Sequence, residues 1–391
     1  MGIRKSWLTA AILAVVTALA IATPASAATR FSVMATGRLT PSSVVFTHKI
    51  TPADRIAAAK RLAASLGSPL NPLTAGVSAP LALLVPLGAP DYWTTPNWAN
   101  SQLPTVNASG VVLAGTGIRK FVDSLPGLGY AARNNLGQYI PVSIPDTSTY
   151  PGSDYYVIEL DQYQEKLGSD IPTTTLRGYR QTNTTDPTVS KPNYLGPMII
   201  AQRNRPVRVK FVNNLPKGQG GNLFLPVDTT AMGAGMGPNG RTMYTQNRAT
   251  LHLHGGATPW ISDGTPNQWI TPAGENTSYP VGVSVTNVPD MPDPGPGAET
   301  FFYTNQQSAR LMFYHDHAYG LTRLNVYAGE AAGYLLQDPV EQAMVSGGTV
   351  GTQTVAAGTI PADQMPLIIQ DKTFVPSAAK LATVDPTWNG A

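Results

Sequence analysis

Cysteine is absent from this 391-residue chain. No disulfide can brace it, so the fold must rest on its apolar core. No thiolate can hold a metal either, which argues against cysteine-ligated zinc and against iron–sulfur clusters. Charge is also scarce: 13% of residues are charged and the formal net charge is only +3. That balance gives no electrostatic footprint for nucleic acid. Past the amino-terminal segment no apolar run approaches the length of a membrane span. Histidine occurs five times in the whole chain, yet four of the five fall into two H-x-H pairs.

What the sequence has in quantity is glycine (37) and proline (35), with 42% hydrophobic residues. This combination favours short strands joined by turns over long charged helices. Met1–Ala27 reads as an export signal: a basic "MGIRK", an apolar "WLTAAILAVVTALAIA" and a small-residue cleavage site "ASA". The apolar run is short for a stable membrane anchor and stops before Pro24. "IRKSWL" resembles a degenerate twin-arginine signal with Lys5 in place of the second arginine, although general secretion is favoured. The expected location is secreted, periplasmic or cell envelope.

Residues 28–149 read as an irregular amino-terminal extension with one helix, Thr51–Gly67, which starts on Thr51-Pro52 and stops at Gly67. The Trp and Tyr residues of its Pro- and Gly-rich part argue for packing rather than a disordered linker. From 150 to 340 strand patterns dominate. They are "DYYVIELDQYQ", "PMIIAQ", "RPVRVKFVNNL", "RATLHLHGG", "SARLMFYHDH" and "AGYLLQD". In the third, Val207, Val209 and Phe211 alternate with Arg208 and Lys210, the period of a half-buried strand. Strands without regular intervening helices imply an all-β, antiparallel sandwich rather than a βα barrel. After a connection, "MPLIIQDKTF" (Met365–Phe374) reads as a buried strand opening a further domain within 341–391, with too little chain after it to finish a sandwich.

The two pairs are "TLHLHGG" and "FYHDHAYG". On a strand, residues i and i+2 share a face and lie roughly 6.5 to 7 Å apart, so their imidazoles can converge on one ion or reach two neighbouring ones. Imidazole suits copper, zinc, iron and nickel, and copper fits an exported protein best. His252, His254, His315 and His317 are therefore the candidate metal ligands. The plain alternative for any one pair is the polar face of a strand. Asp316 points away from its flanking histidines and is expected behind them or at the surface. Glycines after His254 permit close approach of backbone or ligand. His48 is isolated and receives no function. A zinc hydrolase with an H-x-H motif would need further histidines on barrel strands, and neither is present.

The stretches "LHLHGGATPWISDG" and "NQQSARLMFYHDHAYGLTRLNVYAGEAAGYLL" resemble the two amino-terminal copper motifs of multicopper oxidases. They are most similar to the branch holding bacterial spore-coat laccases, bilirubin oxidase and proposed manganese oxidases. "GPMIIAQRNRPVRVKFVNNLP" and "PLIIQDKTF" resemble the openings of that family's first and second cupredoxin domains, so the resemblance covers about Tyr150 to Phe374. It implies a Greek-key cupredoxin-like sandwich at 150–340 and an incomplete second cupredoxin domain. It also implies that His252 binds a type 2 copper, that His254, His315 and His317 bind a type 3 pair, and that dioxygen is reduced there to water. Asp263 matches an acidic residue that delivers protons, and it reads equally well as a turn residue before Gly264. The family takes four more histidines, and the cysteine and histidines of its type 1 copper, from a carboxy-terminal part. This chain has no cysteine and no histidine after His317. The expectation is thus half of a trinuclear site without the electron entry, in the amino-terminal portion of a longer oxidase. The partners it implies are dioxygen, a small-molecule or metal-ion reductant and the missing carboxy-terminal cupredoxin portion. A copper-binding module without catalysis is the other reading.

Overall fold

The computed structural model describes residues 105–113 and 117–374. The chain divides into two compact units, Met1–Pro96 and Asn97–Ala391, and every described residue belongs to the second. The export signal, the Thr51–Gly67 helix and His48 lie outside the described residues.

Strand β1 (Asp154–Glu165) buries Tyr156, Ile158 and Leu160 on one face. Strand β2 (Thr174–Gln181) pairs with it antiparallel, and β4 (Val207–Asn213) pairs with it parallel on the other side. Strand β6 (Ala298–Tyr303) completes a sheet of order β2-β1-β4-β6. The second sheet has the order β3-β8-β7-β5, built from Ile199–Gln202 (β3), His252–His254 (β5), Arg310–His315 (β7) and Ala331–Gln337 (β8). Neighbours in each sheet are mostly non-consecutive, because the chain passes back and forth between the sheets. The alternation at Val207, Val209 and Phe211 does what the sequence implies: all three are fully buried between the sheets. Aromatic rings cross the interface, with Tyr179 5.2 Å from Tyr314 and Tyr303 6.1 Å from Tyr334. The result is an all-β, cupredoxin-like Greek-key sandwich.

Among the described residues helices are few and short. Helix α1 (Thr322–Ala328) follows the second histidine pair and ends at Gly329, whose φ of 122° lets it pass close to β2. A Cβ there would lie 2.4 Å from the Arg177 carbonyl oxygen. Helix α2 (Pro339–Ser346) starts on Asp338, whose carboxylate accepts from Glu341 N at 2.8 Å. It precedes a small hairpin of β9 (Gly348–Val350) and β10 (Gln353–Val355), so the stretch read as a plain connection is partly ordered. The described part of the extension is pinned to the sandwich. Arg119 grips Asp170 at 2.8 Å, Val142 bridges Met198 beside β3, and the Gln181 amide pairs with both backbone groups of Ile144.

One strand expectation fails. Met365–Phe374 forms no ladder, although its composition is that of a strand. Leu367 and Ile369 face outward, 45% and 92% exposed, so an apolar run does not here mean a buried one. Pro366 is buried and Ile368 half-buried near Gly333, and polar contacts hold the segment as well. Gln370 accepts from the Tyr194 hydroxyl at 2.6 Å, and Lys372 donates to the Tyr327 carbonyl with its ammonium near the Tyr194 and Tyr327 rings.

Phe211 lies between the sheets with its ring 6.3 Å from that of Tyr179. Phe211→Ala should destabilise the domain by about 3 to 5 kcal/mol, the usual cost of an emptied aromatic site. Urea unfolding followed by tryptophan fluorescence measures this. A loss under about 1 kcal/mol would contradict a core shared by the two sheets.

Candidate metal centre

Strand β5 has only three residues and sits at the edge of its sheet. It pairs antiparallel with β7 so that His252 stands opposite His315, Leu253 opposite Tyr314, and His254 opposite Phe313. Alternation then divides the labour. Leu253 and Tyr314 enter the core, while the two histidines of β5 share the outer face with Phe313 and His315. Phe313 was not singled out by sequence. Its ring stacks on His254 at 4.8 Å with 17° between the planes, and on His315 at 5.2 Å.

One ring nitrogen from each of His252, His254 and His315 lies within 4.8 Å of the others. His317 joins from beyond the end of β7, so its position comes from irregular chain and not from strand alternation. Its ring lies 4.6 Å from that of His252 and 5.7 Å from that of His315. The structure thus brings together all four histidines that the sequence nominates.

Hydrogen bonds fix which nitrogens are free. His315 donates from Nδ1 to the Asp316 carbonyl at 2.6 Å, which leaves Nε2 as a lone-pair donor. That Nε2 lies 3.2 Å from His254 Nδ1. His252 donates from Nδ1 to the Asp263 carbonyl, leaving its Nε2 free. His317 Nδ1 is buried without a hydrogen-bond partner. Burial, opposed by the hydrogen bond to the Asp316 carbonyl and helped by the nearby histidines, pushes the His315 imidazolium down to about 4. Burial also lowers His317, again with help from His252. Imidazoles gathered in one cluster, with an orphaned nitrogen on His317 and two facing ones on His254 and His315, suit a metal ion as their common partner. Nitrogen donors alone fit copper or zinc by type.

Behind the cluster lies a buried polar layer. The Asp316 carboxylate is fully buried and accepts from Thr250 N at 3.0 Å, Ala318 N at 3.1 Å and Asn325 Nδ2 at 2.9 Å. Burial raises its pKa to about 6 against the pull of those bonds. This excludes the surface position left open for it. Asn325, on α1, also donates to the Arg248 carbonyl at 3.1 Å and accepts from Arg177 at 3.3 Å. Arg177 lies 3.6 Å from Glu330, and both side chains are fully buried. Burial lowers the Arg177 guanidinium and raises Glu330 well above the usual carboxylate range. On the other side, Glu299 accepts from the Thr250 hydroxyl at 2.8 Å.

Asp263 follows a short 3-10 turn, Trp260–Ser262. Its backbone carbonyl orients His252, while its carboxylate is 40% exposed, accepts from Thr258 Oγ1 at 3.0 Å and lies 3.9 Å from His252 Nδ1. The next residue makes this possible. Gly264 has φ +67°, and a Cβ on it would meet the Leu251 carbonyl oxygen at 2.2 Å. The glycines after His254 serve the local turn. Gly255 has φ +86°, and a Cβ on Gly256 would strike the Leu253 side chain at 2.7 Å.

A laccase of Bacillus subtilis is 31% identical over 270 residues, which is 67% of this chain and 41% of that protein. A laccase of Bacillus stratosphericus is 33% identical over 66% of this chain and 38% of its own length. Over the matched residues, this chain is of the multicopper oxidase family. It spans about two fifths of the length of those curated relatives. A bilirubin oxidase of Albifimbria verrucaria is 46% identical over 55 residues, 14% of this chain and 9% of that protein. No protein-family model matches the chain. Among solved structures, a multicopper oxidase of Pediococcus acidilactici overlaps 57% of this chain and 32% of its own, with 18% identity and a TM-score of 0.35.

Gly264→Ala should push the Asp263 carbonyl away from His252 and cost about 1 to 3 kcal/mol. Nitrogen-15 imidazole spectra should then show His252 sampling both tautomers, where the parent holds the proton on Nδ1. An unchanged tautomer would mean that the Asp263 carbonyl does not orient the ring.

Proposed function

We propose that this chain is part of a copper-dependent, laccase-like oxidoreductase that couples oxidation of a substrate to reduction of dioxygen to water. The observation that carries the reading is the meeting of two H-x-H pairs in one cluster, with His254 Nδ1 and His315 Nε2 3.2 Å apart. By the family resemblance, His252 serves a type 2 copper, and His254, His315 and His317 serve a type 3 pair. Copper held there would supply one-electron redox chemistry toward dioxygen. The chain's own residues hold that centre in place. Two backbone carbonyls fix the His252 and His315 rings with Nε2 outward, and Phe313 braces His254 by stacking. Dioxygen reduction consumes protons, and Asp263 supports a role in supplying them because its carboxylate is exposed and 3.9 Å from His252 Nδ1.

Four imidazoles are few donors for three copper ions. We infer that they form the amino-terminal half of the site, and that the remaining histidines and the thiolate-bound type 1 copper come from a carboxy-terminal cupredoxin portion. The partners would then be dioxygen and a small-molecule or metal-ion reductant. The leader-like Met1–Ala27 supports export to the cell envelope or beyond. The second reading, a secreted copper-binding module without catalysis, is favoured for the isolated chain by its lack of cysteine.

Copper titration of the chain lacking Met1–Ala27 should show weak binding with no intense blue thiolate absorption. His254→Ala with His315→Ala should abolish that binding, and His48→Ala should leave it unchanged. The chain alone should not couple phenol oxidation to oxygen uptake, and a cysteine-bearing carboxy-terminal portion of a related oxidase should restore coupling. Oxidation at a laccase-like rate by this chain alone would overturn the half-site reading. Oxygen uptake that stays absent after complementation would favour the non-catalytic module.

A further inference from the structure

A cavity of about 440 Å³ lies apart from the histidine cluster, and none of the four histidines lines it. Its walls come from four parts of the chain. Leu125 and Ile140 belong to the amino-terminal extension, Leu167 follows β1, Met198 leads into β3, and Ile368 belongs to the Met365–Phe374 segment. A volume of this order takes a small molecule, and apolar walls suit an apolar body. Tyr139 and Tyr194 add aromatic faces, which favours an aromatic one.

The polar groups beside the cavity are largely engaged with one another. Glu165 accepts from Gln138 Nε2 at 3.0 Å and from Tyr194 N at 2.8 Å, and the Tyr194 hydroxyl donates to Gln370 at 2.6 Å. Lys372, also on the wall, donates to the Tyr327 carbonyl. Its Nζ lies 5.1 Å from the centre of the Tyr194 ring and 4.9 Å from that of Tyr327. No carboxylate pairs with it among the described residues, and Asp371 acts on it only from a distance. Burial pushes the ammonium down to about 8 against that pull. Roughly a tenth of such an amine is unprotonated at pH 7, far more than of an ordinary lysine.

A desolvated amine on the wall of a ligand-sized apolar cavity is arranged to attack a carbonyl carbon. We propose that this cavity is a ligand site in which Lys372 captures a small aromatic aldehyde as an imine. The Nζ lone pair forms the bond to the carbonyl carbon, and the C–O bond breaks as the C=N bond completes. The two protons of the neutral amine leave with the carbonyl oxygen as water, so no oxidant or reductant is needed. The site does not rest on the oxidase reading, since its residues are distinct from the four histidines.

Reductive trapping tests this. Benzaldehyde with cyanoborohydride at pH 7 turns an imine into a stable secondary amine, which peptide mass spectrometry locates. At low reagent concentration Lys372 should be labelled about tenfold faster or more than the exposed Lys166, Lys191 and Lys217. Lys372→Arg keeps the charge and should lose that label alone. Benzyl alcohol carries the same ring and forms no imine, so it should slow labelling of Lys372 and leave the exposed lysines unchanged. Labelling of Lys372 no faster than of the exposed lysines would overturn the proposal. Fast labelling that benzyl alcohol does not slow would show a reactive amine without a ligand site, and would overturn it equally.

Discussion

The candidate site depends on one buried carboxylate. The two H-x-H pairs lie on segments 61 residues apart, and a three-residue edge strand is a weak tie between them. Asp316 supplies the tie from behind. It accepts from Thr250 N just before the first pair, from Ala318 N just after the second, and from Asn325 on α1. Burying a carboxylate is costly unless it is hydrogen-bonded, and these donors offset the loss of water. The side chain between the two histidines thus faces away from any metal while setting the spacing of the groups that would bind one.

The same layer joins the site to the far sheet. Arg177 on β2 reaches Asn325, the Gly221 carbonyl at 2.8 Å and Glu330 at 3.6 Å, all in the interior. Removing one member of such a buried pair is strongly destabilising, whereas replacing both by apolar groups need not be. An arrangement of this kind ties α1 to a single position, and through Asn325 it ties Asp316 as well.

Much of this was legible in the sequence, and the exceptions have physical causes. Strand β4 announces itself because Val207, Val209 and Phe211 alternate with Arg208 and Lys210, and β1 because its run of Tyr155 to Leu160 is rich in aromatic and β-branched residues. Strand β2 hides because Arg177 and Gln181 occupy the same face as Tyr179, so buried polar residues break the apolar alternation. Strand β6 hides for a like reason, with Glu299 buried in line with Phe301 and Tyr303. Met365–Phe374 misleads in the opposite direction, since its isoleucines suggest a ladder that tertiary contacts do not provide. At the site, the histidine pairs are visible because histidine is rare. Phe313 is not, since an aromatic before a histidine looks like any strand residue until the His254–Phe313 register is known.

The antiparallel register that sets His252 against His315 also governs when the site can exist. Neither pair can recruit the other by local folding, because a loop of this length must close first and its closure entropy precedes any reward. An unfolded or nascent chain offers only separate two-nitrogen fragments, each free to trap an ion in the wrong company. The cluster therefore exists only where the two strands are paired, and its ligand set is a property of the finished sandwich.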